Sequence, residues 1–297
     1  MQRISNNQSS VISYSAGRTD LDPYKFRIIK PSANKFQNLL HKFPRLKSLL
    51  KKQPLLINCY PASVGGLELG ILVDTYLKYE TFFRALLLAY NENYLPIIIG
   101  QPLLLSDFIY KYIDSSGKIP TEMLIIEGGY LCPVTLENFT KDILIRSNCQ
   151  TEILHAYGVA EVDAGCFMGM DRNSDGDIIY YIVTDNIKAV LRDGKLLLHQ
   201  HDMETNEERL FDTDEFAKEY NDGLLIQNKI ERLNPDIVAL FDSFDNNKWR
   251  RYTGYVAMIN NNYHMQLRSN VLDCTTNEIE FWEFCKLYGY FDNVILE

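Results

Sequence analysis

Four short apolar runs, Leu55–Tyr60, Leu95–Gly100, Met123–Gly128 and Ile153–Gly158, each end in a small or turn-forming residue. Helical patterns fill the intervals, over Leu67–Tyr90, Leu104–Ile113 and Val134–Arg146. Strands that are apolar on both faces and alternate with helices imply a parallel sheet covered on both sides. Ligands of such sheets gather at the carboxyl ends of the strands. The connections of interest are therefore Pro61–Gly66, Gln101–Pro102, Gly128–Pro133 and Gly158–Gly165.

Beyond residue 170 the pattern changes. Ile178–Thr184, Ala189–Gln200 around Arg192-Asp193-Gly194, Leu224–Glu231 and Ile237–Phe241 read as strands with hairpin signals. Arg251–Arg268 reads as two more strands turning at Asn260-Asn261-Asn262, followed by a closing helix near Glu278–Leu287. The expected fold is an α/β layer over residues 1–170, a parallel sheet covered by helices, followed by a smaller β-rich subdomain over residues 171–297.

Charge and composition narrow the function. Thirty Lys+Arg against 39 Asp+Glu give a net charge of −9, so no overall basic excess exists to bind nucleic acid. The longest apolar stretch, Leu95–Leu105, is broken by Gly100, Gln101 and Pro102 and falls short of the ~20 residues of a membrane span. Met1–Ser10 is polar and carries no signal-peptide core. Six widely spaced cysteines, Cys59, Cys132, Cys149, Cys166, Cys274 and Cys285, form no CxxC pair. They read as buried small hydrophobes in a reducing compartment, which points to a cytoplasmic protein, and no local ligand pair nucleates a zinc site.

Against the acidic total, no Asp or Glu occurs between Asp22 and Glu68, and Lys25–Lys52 carries nine Lys/Arg. Phe36, Leu39, Leu40, Phe43, Leu46 and Leu50 recur there at helical spacing, with Pro44 splitting any helix. Three readings stand open: a surface helix whose apolar side packs on the sheet, a docking face for an acidic or phosphate-bearing partner, or a helix lying on a membrane surface. Asp171–Ile178 fits the first eight positions of a calcium loop, but its twelfth position is Ile182 and flanking helices are missing, so a polar turn entering a strand is expected. His199 and His201 alternate on a strand with no third ligand in view.

A set of motifs in a fixed order remains. They are Ser13-Tyr14-Ser15-Ala16-Gly17-Arg18-Thr19-Asp20, Asn58-Cys59-Tyr60-Pro61 through Gly65-Gly66-Leu67, Ile125-Ile126-Glu127-Gly128-Gly129, His155-Ala156-Tyr157-Gly158-Val159-Ala160-Glu161 and Trp249-Arg250-Arg251-Tyr252-Thr253-Gly254-Tyr255, with Arg268 beyond. In this order the chain resembles the adenylate-forming superfamily of acyl-CoA synthetases, peptide-synthetase adenylation domains and luciferases, nearest the phenylacetate-CoA ligase and acyl-protein synthetase branch. The resemblance implies an adenylating N-terminal core and a carboxylic acid activated with ATP and Mg²⁺, for transfer to a CoA or carrier-protein thiol. It assigns nucleotide contacts to Ser15, Gly17, Thr19, Gly128, Gly129, Tyr157, Gly158, Thr253 and Arg268. Glu161 takes the catalytic place and holds Mg²⁺ through the phosphates, and an acidic carrier protein would meet Lys25–Lys52.

The chain departs from the pattern at three positions. Ala160 replaces a Thr that donates to phosphate, Tyr255 replaces an Asp that accepts from ribose, and Asp20 stands where the phosphate loop has Gly. The family's C-terminal domain, with its catalytic Lys, finds no room after Arg268. The resemblance thus also admits a degenerate subunit that keeps the fold as a binding or scaffold partner.

Overall fold

The computed structural model describes residues 11–14, 26–29, 34–60, 71–116, 118–129, 132, 134–159, 162–202, 207–227, 252–259, 262–269 and 293–296. Near the N-terminus β1 (Val11–Tyr14) and β2 (Phe26–Ile29) pair antiparallel. Two short helices, α1 (Lys35–Lys42) and α2 (Leu46–Leu49), flank Phe43-Pro44-Arg45, where proline stops the first helix as expected. The main layer then alternates β3 (Pro54–Cys59), β4 (Ile71–Asp74), α3 (Tyr79–Glu92), β5 (Leu95–Gly100), α4 (Pro102–Ser116), β6 (Glu122–Glu127), α5 (Val134–Arg146) and β7 (Gln150–Val159).

These strands belong to one sheet of eleven, in the order β10-β11-β12-β13-β9-β8-β7-β6-β5-β3-β4. From β4 to β7 every pairing is parallel. At β8 (Asp163–Gly169) it turns antiparallel and continues through β9 (Ile179–Ile182), β10 (Ile187–Arg192), β11 (Lys195–Asp202), β12 (Glu207–Tyr220) and β13 (Gly223–Gln227). The fold is thus α/β, a helix-covered parallel sheet running on into a β-rich portion. A separate three-stranded sheet joins β14 (Tyr252–Ile259), β15 (Asn262–Ser269) and β16 (Asn293–Leu296).

Alternation along the parallel strands divides the core in two. Leu55, Ile57, Ile98, Met123, Ile125 and Ile153 pack with Phe82 and Leu86 of α3, Phe108 and Tyr112 of α4 and Leu144 of α5. The opposite residues, Leu56, Ile97, Ile99, Leu124, Ile126 and Leu154, pack against Phe43, Leu46 and Leu49. The basic segment therefore covers the second face with its apolar side. Its cations meet acids of the sheet: Lys35 with Asp163 at 2.9 Å, Lys42 with Asp222 at 3.2 Å, Arg45 with Glu152 at 3.3 Å and Asp171 at 2.9 Å, and Lys52 with Glu122 at 2.7 Å.

Three expectations are corrected. Ile71–Asp74 is a strand, not the start of a helix from Leu67, because it pairs along β3 as an exposed parallel edge. Gly158 and Gly165 lie inside β7 and β8, so the connection between these strands is shorter than Gly158–Gly165. Residues 207–220, not singled out in the sequence, form the long strand β12. The pieces 61–66, 228–231, 237–241, 260–261 and 278–287, with Cys274 and Cys285, lie outside the described residues.

Candidate functional site at the carboxyl edge of the sheet

Strands β3, β5 and β6 end level with one another, at Cys59, Gly100 and Glu127, and His155 of β7 stands level with Glu127 while β7 itself runs on to Val159. Backbone approach is close along this edge. The Gly128 amide donates to Gly100 O at 3.0 Å, and a Cβ on Gly128 would stand 3.2 Å from Ala156 O. Gly129 takes φ +96°, a conformation that favours glycine, and a side chain there would meet the Tyr60 hydroxyl at 2.9 Å. Gly128 and Gly129 thus follow the end of β6 beside the stretch of β7 that carries Tyr157 and Gly158. Tyr157 is half-buried, its ring against Phe167, 5.7 Å between centroids, and Tyr180 at 6.0 Å. Burial pushes its hydroxyl pKa up, so it stays a phenol.

Thr253 and Arg268 are backbone partners in the register of β14 and β15, in the separate three-stranded sheet. Ser15, Gly17, Thr19 and Glu161 lie outside the described residues.

Sequence reasoning missed the polar cluster beneath this edge. Met123 and Ile125 on β6 and Ile153 on β7 face α5, and alternation puts Glu127 and His155 on the same side. The two stand opposite each other in register and are almost wholly buried, at 2% and 3% exposure. His155 Nδ1 lies 3.5 Å from Glu127 Oε2, and its Nε2 lies 3.1 Å from Glu137 Oε2 in the first turn of α5. Arg172 closes the cluster: its Nε donates to Glu137 Oε2 at 2.7 Å, its Nη2 pairs with the same oxygen at 2.6 Å and donates to Cys132 O at 2.8 Å, and its Nη1 donates to Gly176 O at 2.6 Å. Lys141 pairs with Glu137 Oε1 one turn along the helix.

These surroundings separate the two carboxyls. Burial raises Glu127 above its ordinary value, only partly offset by His155. Burial acts on Glu137 in the same sense, but His155, Arg172 and Lys141 outweigh it and hold that carboxyl well below the usual range. Burial also lifts the Cys132 thiol well above a free cysteine. The cluster thus holds one fixed anion, one carboxyl poised toward neutrality, an imidazole and a thiol. The sequence signal was present: Glu127 and His155 interrupt apolar strand runs at their carboxyl ends.

The calcium-like stretch is a polar turn. Asn173 Oδ1 accepts from the Asp175 and Asp177 amides at 3.0 and 2.8 Å, and Ile179 N donates to Asp171 O at 2.9 Å. Its structural product is the placement of Arg172. His199 lies 3.3 Å from Glu208 on a half-exposed sheet face.

No family model matches the chain. No curated protein matches it in sequence. Among solved structures it is similar to an acyl-CoA synthetase (AMP-forming)/AMP-acid ligase II-like protein from Dyadobacter fermentans, at 9% identity over 98% of this chain and 85% of that one, with a TM-score of 0.46. It is also similar to the adenylation domain of a keto acid-selecting NRPS module bound to keto acyl adenylate, at 9% identity over 92% and 64% of the two chains and a TM-score of 0.47. A third is Klebsiella oxytoca NpsA in complex with 3-hydroxyanthranilyl-AMSN, at 10% identity, 84% and 60% coverage and a TM-score of 0.41. The chain spans less than two thirds of the length of the latter two.

Proposed function

We propose that this chain activates a carboxylic acid as its acyl or aryl adenylate at the expense of ATP, for transfer to the thiol of CoA or of a carrier protein. The observation that carries the reading is the convergence of Gly128-Gly129 and Tyr157-Gly158 at the carboxyl edge of adjacent parallel strands. These are the segments that resemble the adenine-pocket motifs of adenylate-forming enzymes. Glycines leave the backbone bare of side chains where a nucleotide would meet it, and the half-buried Tyr157 lies on the adjoining strand. Thr253 and Arg268, paired across a hairpin, would contribute ribose or phosphate contacts. Mg²⁺ held through the phosphates by Glu161 would offset charge developing at the phosphoryl oxygens.

A second reading, a non-catalytic adenylating-fold subunit in a biosynthetic complex, is favoured by Ala160 and Tyr255, which each remove a hydrogen-bonding group from the nucleotide contacts. Each loss would cost about 1–3 kcal/mol of ligand binding. Under either reading the buried Cys59, Cys132, Cys149 and Cys166, none of them in a disulfide, suit a reducing, cytoplasmic setting. An acidic carrier protein would meet the exposed Lys47 and Lys51, since Lys35, Lys42, Arg45 and Lys52 are already paired within the chain.

Thermal unfolding with ATP-Mg²⁺, AMP and a panel of carboxylic acids separates the readings. The catalytic reading predicts stabilisation of about 2.7 kcal/mol at a hundredfold excess of nucleotide over Kd, with further stabilisation by the cognate acid. Glu161→Gln should then keep the fold and lose acid-dependent pyrophosphate exchange. Absence of any nucleotide effect would favour the scaffold.

A further inference from the structure

We propose that Glu127, Cys132 and His155 form a binding site for a divalent transition metal of zinc type. The three side chains come from the end of β6, the β6–α5 connection and β7, and each is almost wholly buried. One carboxylate oxygen, the thiol sulfur and one imidazole nitrogen all lie within 4.8 Å of one another. Ligand atoms of a tetrahedral zinc stand roughly 3.5 Å apart, given bonds of ~2.0–2.3 Å, so the set closes on an ion with a shift of about an ångström.

A second observation points the same way. Glu127 Oε2, in a residue 2% exposed, makes no hydrogen bond within the described residues, although it faces the imidazole. Such an oxygen normally costs stability, and an ion between it and His155 removes that cost. His155 turns its other nitrogen toward Glu137, 3.1 Å away though out of line for a full hydrogen bond. Glu137 is itself fixed by Arg172 and Lys141. A carboxylate behind a histidine is the usual outer support of a metal ligand. Cysteine with histidine and one carboxylate selects zinc over magnesium or calcium, which take oxygen shells.

The protons balance. With Glu127 and Cys132 protonated, an incoming M²⁺ displaces the carboxyl proton and the thiol proton to solvent and leaves a neutral set of cation, carboxylate and thiolate. His155 binds through one unprotonated ring nitrogen, and a proton carried there leaves to solvent as well. Three protein ligands leave the fourth position open to water or a substrate oxygen.

The full chain, stripped with chelator and titrated with Co²⁺ in the absence of nucleotide and acid, provides the test. The proposal expects saturable uptake of one ion per chain, with thiolate-to-cobalt charge transfer in the near ultraviolet, tetrahedral ligand-field bands in the visible, and displacement by Zn²⁺. Cys132→Ser should abolish the charge-transfer band, and His155→Gln should weaken uptake tenfold or more, while Cys149→Ser leaves both unchanged. If these variants do not fold, X-ray absorption of the wild-type cobalt form decides, with one sulfur among nitrogen and oxygen neighbours expected. Folded wild-type protein that takes up neither ion, or a charge-transfer band that survives Cys132→Ser, overturns the site. Metal uptake is read without ATP, so its failure leaves the adenylation reading standing, and the converse holds.

Discussion

Burial raises the pKa of Glu137, yet His155, Arg172 and Lys141 keep it an anion, whereas Glu127, at the other nitrogen of His155, is pushed toward its acid form. The two carboxyls therefore act on stability in opposite senses. Glu137, with its pKa depressed on folding, stabilises the protein above the ordinary Glu value near 4.5, and that contribution is lost as pH falls below it. Glu127, with its pKa raised, favours the fold below 4.5, and its contribution is lost as pH rises through the folded value. Urea unfolding against pH checks this: Glu137→Gln should flatten the acid limb of the stability curve, and Glu127→Gln should flatten the limb above pH 4.5. Arg172→Met removes one hydrogen bond from the nearly buried Glu137 carboxylate and two more from Gly176 O and Cys132 O, and should cost about 3 kcal/mol, the lower end for a broken buried pair because Lys141 remains. The polar residues of this cluster were visible in the sequence as acids and a histidine inside apolar runs. Their partner was not, because Arg172 sits in a turn that reads as a calcium loop, and only the sheet's return past β8 brings it to α5.

At the scale of elements, the parallel strands were legible because Leu95–Gly100 and Met123–Glu127 are apolar on both faces and carry no competing helical period. Ile71–Asp74 was not, since four residues on an exposed edge look like the approach to α3. The strand β12 was hidden for another reason. Its sequence EERLFDTDEFAKEY is half charged, and only pairing with β11 on one side and β13 on the other holds it extended. Where the sheet turns antiparallel, Gly169 admits β9 so closely that a Cβ would stand 2.6 Å from Ile179 O. Gly169→Ala should destabilise the fold by about 2 kcal/mol, read by chemical denaturation, because a backbone atom must move. Leu46, fully buried beneath the other face, tests the covering by the basic segment: Leu46→Ala should cost about 3 kcal/mol. Lys47→Glu with Lys51→Glu should leave stability within about 0.5 kcal/mol, as exposed unpaired substitutions do, and should slow capture of an acidic partner. An unchanged association rate and salt dependence would remove the docking role.

For the whole molecule, an alternating α/β half and a β-rich half were both readable from periodicity, but their union was not. Periodicity says which residues share a face. It does not say that β7 and β8 pair antiparallel and carry one sheet from β4 to β10. That continuity matters for function, since it puts the ends of the parallel strands next to Arg172 and the Tyr157–Phe167–Tyr180 aromatic group. The central claim is that this edge binds ATP and activates a carboxylic acid. Exchange of labelled pyrophosphate into ATP, measured with the full chain across a panel of acyl and aryl acids, tests it most directly. The account predicts exchange that depends on one class of acid and disappears in Glu161→Gln; exchange with no acid, or exchange undiminished in that variant, would contradict it.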